Sequence, residues 1–350
     1  MKKHLIAAAV AAAVAVPAMA QNVTIYGAID AGVESYDNGA KTYMRSTNGR
    51  HTTTRFGLRG SEDLGGGMKA EFNLQSATGM DNTVPAGITF NEEFWVGLSG
   101  GFGHIRFGTT DMTQAEGVDA FVANGSGNFG NFPTLNHADA GVNPTVAAGA
   151  RNGELGGNTS NTIRYILPTI GGLSAQAAYS SGNSNALVAD SDAEQWGVSA
   201  AYVDGPLGVI GGYHVAKSRA GGVADRDSKT FGIRYNAGFA QFGVAILRAD
   251  AATDTDSNDL KTNMANVAVP LGSGLTGHLV LASTKRAGDN KGSGSATIIR
   301  KELSKRTSIY GAYVQVESGA DGQAVFGGST ITGTNGLDVK GFTAGLAHTF

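Results

Sequence analysis

The stretch VTIYGAIDAGV, Val23 to Val33, alternates with a period of two. Its odd positions are Val23, Ile25, Gly27, Ile29, Ala31 and Val33, and its even ones are Thr24, Tyr26, Ala28, Asp30 and Gly32. Side chains two apart share a face of a strand, so this is a strand with one apolar and one largely polar side. The same alternation returns in GMKAEFNLQSA, where Met68, Ala70, Phe72 and Leu74 oppose Lys69, Glu71, Asn73 and Gln75. An apolar face of this kind occurs in any sandwich, and the polar face is equally consistent with plain solvent. The number of strands and the connections between them must decide.

Strands are expected near residues 23–34, 51–61, 67–77, 91–99, 103–109, 161–167, 172–180, 194–203, 207–216, 229–236, 239–248, 261–270, 275–284, 295–302, 307–317 and 340–350, sixteen in all. Their connections alternate in kind. One set is tight and rich in turn formers: EDLGGG, GGFG, PTIGG, DGPLG, NAGF, PLGSGL and LSKR. The other is long and polar, as in DTDSND and the stretch from Ser318 to Val339. An even strand number with short turns at one end and long loops at the other marks an all-β, 16-stranded antiparallel transmembrane β-barrel of the bacterial outer membrane. Strands of about 10 residues cross a bilayer at a tilt. Closure removes the sheet edges, whose unpaired backbone groups would each cost several kcal/mol in hydrocarbon. The chain ends in strand alternation, FTAGLAHTF from Phe342 to Phe350, and pairing of this last strand with the first would close the ring.

Composition agrees. Lys2 and Lys3, an apolar run from Leu5 to Val16 and the sequence Ala18-Met19-Ala20 read as a secretory signal peptide over residues 1–20, which leaves 21–350 as the barrel. That apolar run is about 12 residues long where a spanning helix needs roughly 20. Without the two signal lysines, 24 basic groups face 29 acidic ones, a net charge of about −5 that suggests no nucleic-acid partner. There is no Cys, so neither disulfides nor thiolate metal sites can hold the fold. No cofactor or metal ion is called for.

Sixteen strands about 4.8 Å apart and tilted about 40° make a cylinder roughly 30 Å across, too wide for side chains to fill. Water would then wet the inward polar faces. One connection is far longer than the rest, about residues 110–160, including ANGSGNFGNF and NPTVAAGARNGELGGN. A segment of that length is either functional or disordered. Its functional reading is a loop folded into the lumen, narrowing the tube.

The segments TIYGAIDAGVE, RFGLRGSEDLGGGMKAEFNLQ, WVGLSGGFGHIRFG, NTIRYILP, LSKRTSIYG and GLAHTF resemble, in order and over the whole mature chain, the general porins of the β-proteobacterial outer membrane. The resemblance implies a homotrimer, set in outer-membrane lipid and lipopolysaccharide, that passes small hydrophilic solutes and ions. It also implies a third loop forming the constriction, and a terminal Phe350 read by the barrel-assembly machinery. Such porins set basic groups of the wall against acids of the inserted loop. Carried over one at a time, the candidates here are Arg55 in TRFGLRG, Arg59 nearer the turn, Glu93 in NEEFWVGL, Arg106 in HIRFG, Asp119 in VDAF and Arg164 in TIRYIL. Each also fits an ordinary solvated wall residue.

The chain departs from the family where a base is common: Thr109 stands in FGTT, Glu92 and Glu93 precede FWVGL, and Asn158 lies near the place of an arginine before NTI. These replacements predict weak ion selectivity tilted toward cations. Two other readings of a barrel stay open. A surface adhesion barrel would carry its function in the loops. A barrel enzyme would need a nucleophile, a base and an orienting group converging near one rim, whereas His104, His214 and His278 are scattered. The literal dinucleotide pattern Gly125-Ser-Gly127-Asn-Phe-Gly130 has no βαβ unit around it. Asp254-Thr-Asp256-Ser-Asn258-Asp259 starts like a calcium loop but has Asp259 where the turn glycine belongs.

Overall fold

The computed structural model describes residues 22–79, 88–90, 92–112, 121–122, 125–130, 158–182, 194–217, 225–249, 260–286, 291–317 and 338–350. Residues 1–20, expected to be a signal peptide, Asp119, the acidic run at 254–259 and most of the long third connection lie outside these residues. The chain forms β1 (Asn22–Asp37), β2 (Thr42–Asn48), β3 (Arg55–Gly65), β4 (Met68–Ala77), β5 (Phe94–Gly100) and β6 (Gly103–Asp111). There follow β7 (Asn158–Ile166), β8 (Leu173–Ser180), β9 (Gln195–Asp204), β10 (Leu207–Ala216) and β11 (Arg226–Asn236). The ring is completed by β12 (Gln241–Ala249), β13 (Leu260–Gly272), β14 (Leu275–Arg286), β15 (Lys291–Glu302), β16 (Thr307–Glu317) and β17 (Val339–Thr349).

These seventeen segments occupy sixteen places. β1 pairs with β3 over Asn22–Ala28 and with β2 over Ala31–Asp37, so β2 and β3 are halves of one strand interrupted at residues 49–54. Sequence periodicity missed β2 and extended β3 back to residue 51. Each of the other neighbours pairs antiparallel with the next, and β17 pairs with β1 from Ala28↔Thr349 to Asp37↔Lys340. Backbone bonds in both directions between Gly27 and Phe350 finish the seam. The ring leaves no sheet edge open to lipid. At the first tight turn Gly65, Gly66 and Gly67 all take positive φ, the left-handed region that a Cβ penalises.

The period-two pattern sorts the faces as expected. Val23, Ile25, Ile29 and Val33 point out of the ring with Ile25 60% exposed, and on β17 Phe342, Leu346 and Phe350 do the same. His348, on that outward parity, bonds through Nδ1 to Thr307 Oγ1 at 2.9 Å.

The inner face is not uniformly polar, and here the expectation of wetted inward faces needs correcting. On β12–β17 the inward positions include Ala245, Leu247, Met264, Val280, Ala282, Ala296, Ile298, Ala312, Val314, Val316 and Val339, all buried. Val122 and Phe129, from the third connection, are buried in the same apolar cluster. Apolar side chains on the inner wall of a water-filled tube are stable only when covered, each large one returning about 1.5–3 kcal/mol on burial. A literal Gly-x-Ser-x-Gly match, Gly97–Gly101, straddles the end of β5 and the turn into β6. No helix follows it, as a nucleophile elbow would require.

Candidate pore-lining site

Across the ring from the apolar arc, the inner side of β1 and β3–β8 forms a polar arc whose charges come from β1, β3, β4, β6 and β7 and from Glu93 just before β5. Alternation aims Tyr26 on β1, Arg55 and Arg59 on β3, Glu71, Asn73 and Gln75 on β4, Trp95 on β5 and His104 and Arg106 on β6 at the lumen. With Glu93 they line a recess of about 860 Å³. Four of the six constriction candidates, Arg55, Arg59, Glu93 and Arg106, therefore share one space.

Hydrogen bonds tie the arc together from strand to strand. The Arg59 guanidinium lies 5.1 Å from the centre of the Tyr26 ring. Tyr26 donates its hydroxyl to Asn73 Oδ1 at 2.6 Å and to Gln75 Oε1 at 3.0 Å. Asn73 Nδ2 and Trp95 Nε1 donate to Glu93 Oε2 at 2.6 and 2.9 Å. Glu93 Oε1 in turn stands 3.8 Å from Arg106 Nη1, whose guanidinium covers the Trp95 ring at 4.2 Å. His104 Nε2 is 3.5 Å from Glu71 Oε2. Glu92 accepts from Gln75 Nε2 at 3.1 Å.

Arg164 extends the line. It faces Arg106 in register, donates through Nη2 to Gln176 Oε1 at 2.7 Å and through Nη1 to the Asp111 carbonyl at 3.1 Å. Arg164 is thus held by an amide and a carbonyl, while its neighbour Arg106 lies between the Trp95 ring and Glu93. Thr109 has the outward parity of the exposed Phe107 and bonds Ser160 Oγ at 3.3 Å. Its position is thus no vacancy in the lumenal charge.

A second polar cluster, which the sequence reading did not find, fixes the break between β2 and β3. Asp30 is fully buried. Its carboxylate accepts from the backbone N–H of His51 at 2.6 Å and Thr52 at 2.7 Å and from the Tyr310 hydroxyl at 2.7 Å. Glu34 Oε1 accepts from Arg45 Nε and Arg50 Nη2, both at 2.6 Å. The anchored segment then holds part of the third connection: Asn128 N donates to the His51 carbonyl at 3.0 Å and Asn128 Nδ2 to the Gly49 carbonyl at 2.7 Å. The signal was in the sequence, since Asp30 and Glu34 stand at inward positions of β1, but nothing there identified their partners.

Other contacts of the third connection fall on inward positions too. Phe121 lies 4.1 Å from the Arg234 guanidinium, ring centre to carbon, and Phe129 meets Tyr310 edge-on at 5.7 Å. A Cβ at Gly243 would run into Val122, and one at Gly208 into Phe121. The apparent dinucleotide pattern at 125–130 is a turn followed by a short 3-10 segment, Gly127–Gly130, seated against His51.

A closed sixteen-place barrel with a charged arc along its inner wall is the architecture of outer-membrane diffusion channels. A profile of the Gram-negative porin family matches residues 7–321, and the chain belongs to that family. It is 32% identical to the outer membrane porin protein 32 of Delftia acidovorans, with both chains covered in full. It is 30% identical to a Bordetella pertussis outer membrane porin over 73% of this chain and 70% of that one. Among solved structures, an anion-selective porin from Comamonas acidovorans superposes with a TM-score of 0.80 at 26% identity, covering 94% of this chain and all of the other.

Proposed function

We propose that the protein works as a homotrimeric, water-filled channel for passive diffusion of small hydrophilic solutes and ions, with the charged arc of β1 and β3–β8 as its selective surface. It performs no chemical step. The observation that carries this reading is the division of the inner wall: an apolar arc packed against Val122 and Phe129, and opposite it a recess lined by Arg55, Arg59, Arg106 and Glu93. Solute would run along the charged side, past a third loop held to the apolar side. Asp119, on that loop, is proposed as an acid facing the wall arginines. Phe350 is proposed as the assembly signal, and the outer wall as the surface that meets lipid and lipopolysaccharide.

The charge balance of this arc favours weak anion preference, opposite to the tilt expected from the sequence. Arg55, Arg59, Arg106 and Arg164 stand against Glu71, Glu92 and Glu93, and two of those acids lie near bases: Glu93 near Arg106 and Glu71 near His104. The Comamonas relative is itself anion-selective by name. Planar-bilayer recording tests both statements. Stepwise conductance with a reversal potential displaced modestly to the anion side is expected in a KCl gradient. Well-folded protein that forms no channels would overturn the reading.

A further inference from the structure

The outer wall carries a basic row that diffusion through the lumen does not use. Lys229 on β11 stands opposite Arg248 on β12, Arg248 opposite Lys261 on β13, Lys261 opposite Lys285 on β14, and Lys285 opposite the position of Lys291 on β15. Five bases thus follow one another in direct register across five consecutive strands. Lys229, Arg248, Lys261 and Lys285 have outward parity, because the inward neighbours Thr230, Leu247, Thr262 and Thr284 are buried while Phe231, Ile246 and Leu281 on their own face are exposed. Arg248 is laid along the sheet, donating to the carbonyls of Leu247 and Thr262 and to Asn263 Oδ1.

Like charges directly opposite one another destabilise a sheet. An acid stands beside the first base, and another lies across from Ser293, two positions along β15 from Lys291. Asp227 lies 3.3 Å from Lys229 and accepts from the Tyr213 hydroxyl, and Glu317 accepts from Ser293. With strands about 4.8 Å apart, five bases span roughly 19 Å. At a strand tilt near 40° the row climbs about 12 Å along the barrel axis. It starts beside Tyr213, which packs on Trp196 as an outward aromatic pair of the kind found at membrane interfaces, and it rises toward the long-loop end. Among the described strands no acid faces another acid in register, so their walls offer no matching strip to a second copy of this chain.

We propose that this row is a docking strip for a glycolipid of the outer leaflet whose headgroup bears several phosphates, with diphosphorylated lipid A as its minimal form. A headgroup with anionic groups spread along its length neutralises an oblique line of bases, whereas a single-phosphate phospholipid meets only one or two of them. The proposal deepens the lipid contact given above and rests on the chain being an outer-membrane barrel.

The test is native mass spectrometry of the full assembled protein in detergent, titrated separately with diphosphoryl lipid A and phosphatidylglycerol. The parent is expected to hold diphosphoryl lipid A the more tightly. Lys261→Gln/Lys285→Gln should weaken it about thirtyfold, taking the usual contribution of each base near an anionic surface. Lys305→Gln/Arg306→Gln, which removes the same charge at the opposite rim, should bind as the parent does. Lys285→Glu alone gives a second reading in the same direction. Equal binding by the two double variants, or phosphatidylglycerol held as tightly as lipid A, overturns the proposal. Planar-bilayer conductance of the same preparations scores the channel reading separately.

Discussion

At the scale of single residues, the proposed selective surface would make ion preference a matter of a few side chains. A unit charge about 5 Å from the ion path contributes roughly 0.8 kcal/mol at the dielectric constant of water, about a fourfold change in local ion concentration before salt screening. Arg106→Ala removes a guanidinium stacked on Trp95 and should move the reversal potential toward cations, with the permeability ratio changing by about two- to fourfold at low salt. Arg55→Ala should act in the same direction, and a reversal potential unchanged by either substitution would take that residue out of the selective surface. Glu93→Gln should shift it the other way, because the amide can still accept from Asn73 or Trp95 while the charge facing Arg106 is gone.

At the scale of elements, the decisive feature is the break between β2 and β3. Six residues leave the sheet there, and the Asp30 and Glu34 carboxylates hold them inside the ring. Asp30→Ala would strand two backbone N–H groups and the Tyr310 hydroxyl, a cost of about 3 kcal/mol or more, since each buried unsatisfied group costs about 1–3 kcal/mol. The expected result is faster proteolysis near residues 49–54 and noisier single-channel current. Current as quiet as the parent's would show that the segment does not steady the third loop. Gly243→Val tests the other end of that contact, where any side chain collides with Val122. It should lift the loop segment from the wall and raise single-channel conductance, with the barrel's heat-modifiable migration on gels unchanged.

At the scale of the whole molecule, stability comes from ring closure. The seam between β1 and β17 carries ten register pairs and ends in the reciprocal bonds between Gly27 and Phe350. Deleting Phe350 removes both of these reciprocal bonds and an outward aromatic side chain, and should lower the yield of folded, heat-resistant barrels far more than it alters the conductance of those that form. Normal yields from the truncated chain would separate the terminal residue from assembly.

The alternation from Val23 to Val33, repeated along the chain, determined which side of each strand meets lipid, and the even number of such strands, joined by tight turns and long loops in turn, determined that they form a barrel whose last strand closes on the first. Local chemistry is enough for that, because a period of two needs only neighbours in sequence. The same parity aimed Arg55, Arg106 and Arg164 at the lumen. What only the tertiary structure decided is where the interior is dry. Val280, Ile298 and Val314 look in sequence like any other strand residues, and their burial depends on Val122 and Phe129 arriving from more than a hundred residues away in the chain. Asp30 likewise reads as one more polar wall position until Tyr310, 280 residues on, supplies its partner. Contacts of that range leave no periodic trace, so the charged path and its apolar counterpart appear only once the ring has closed and brought the two arcs face to face.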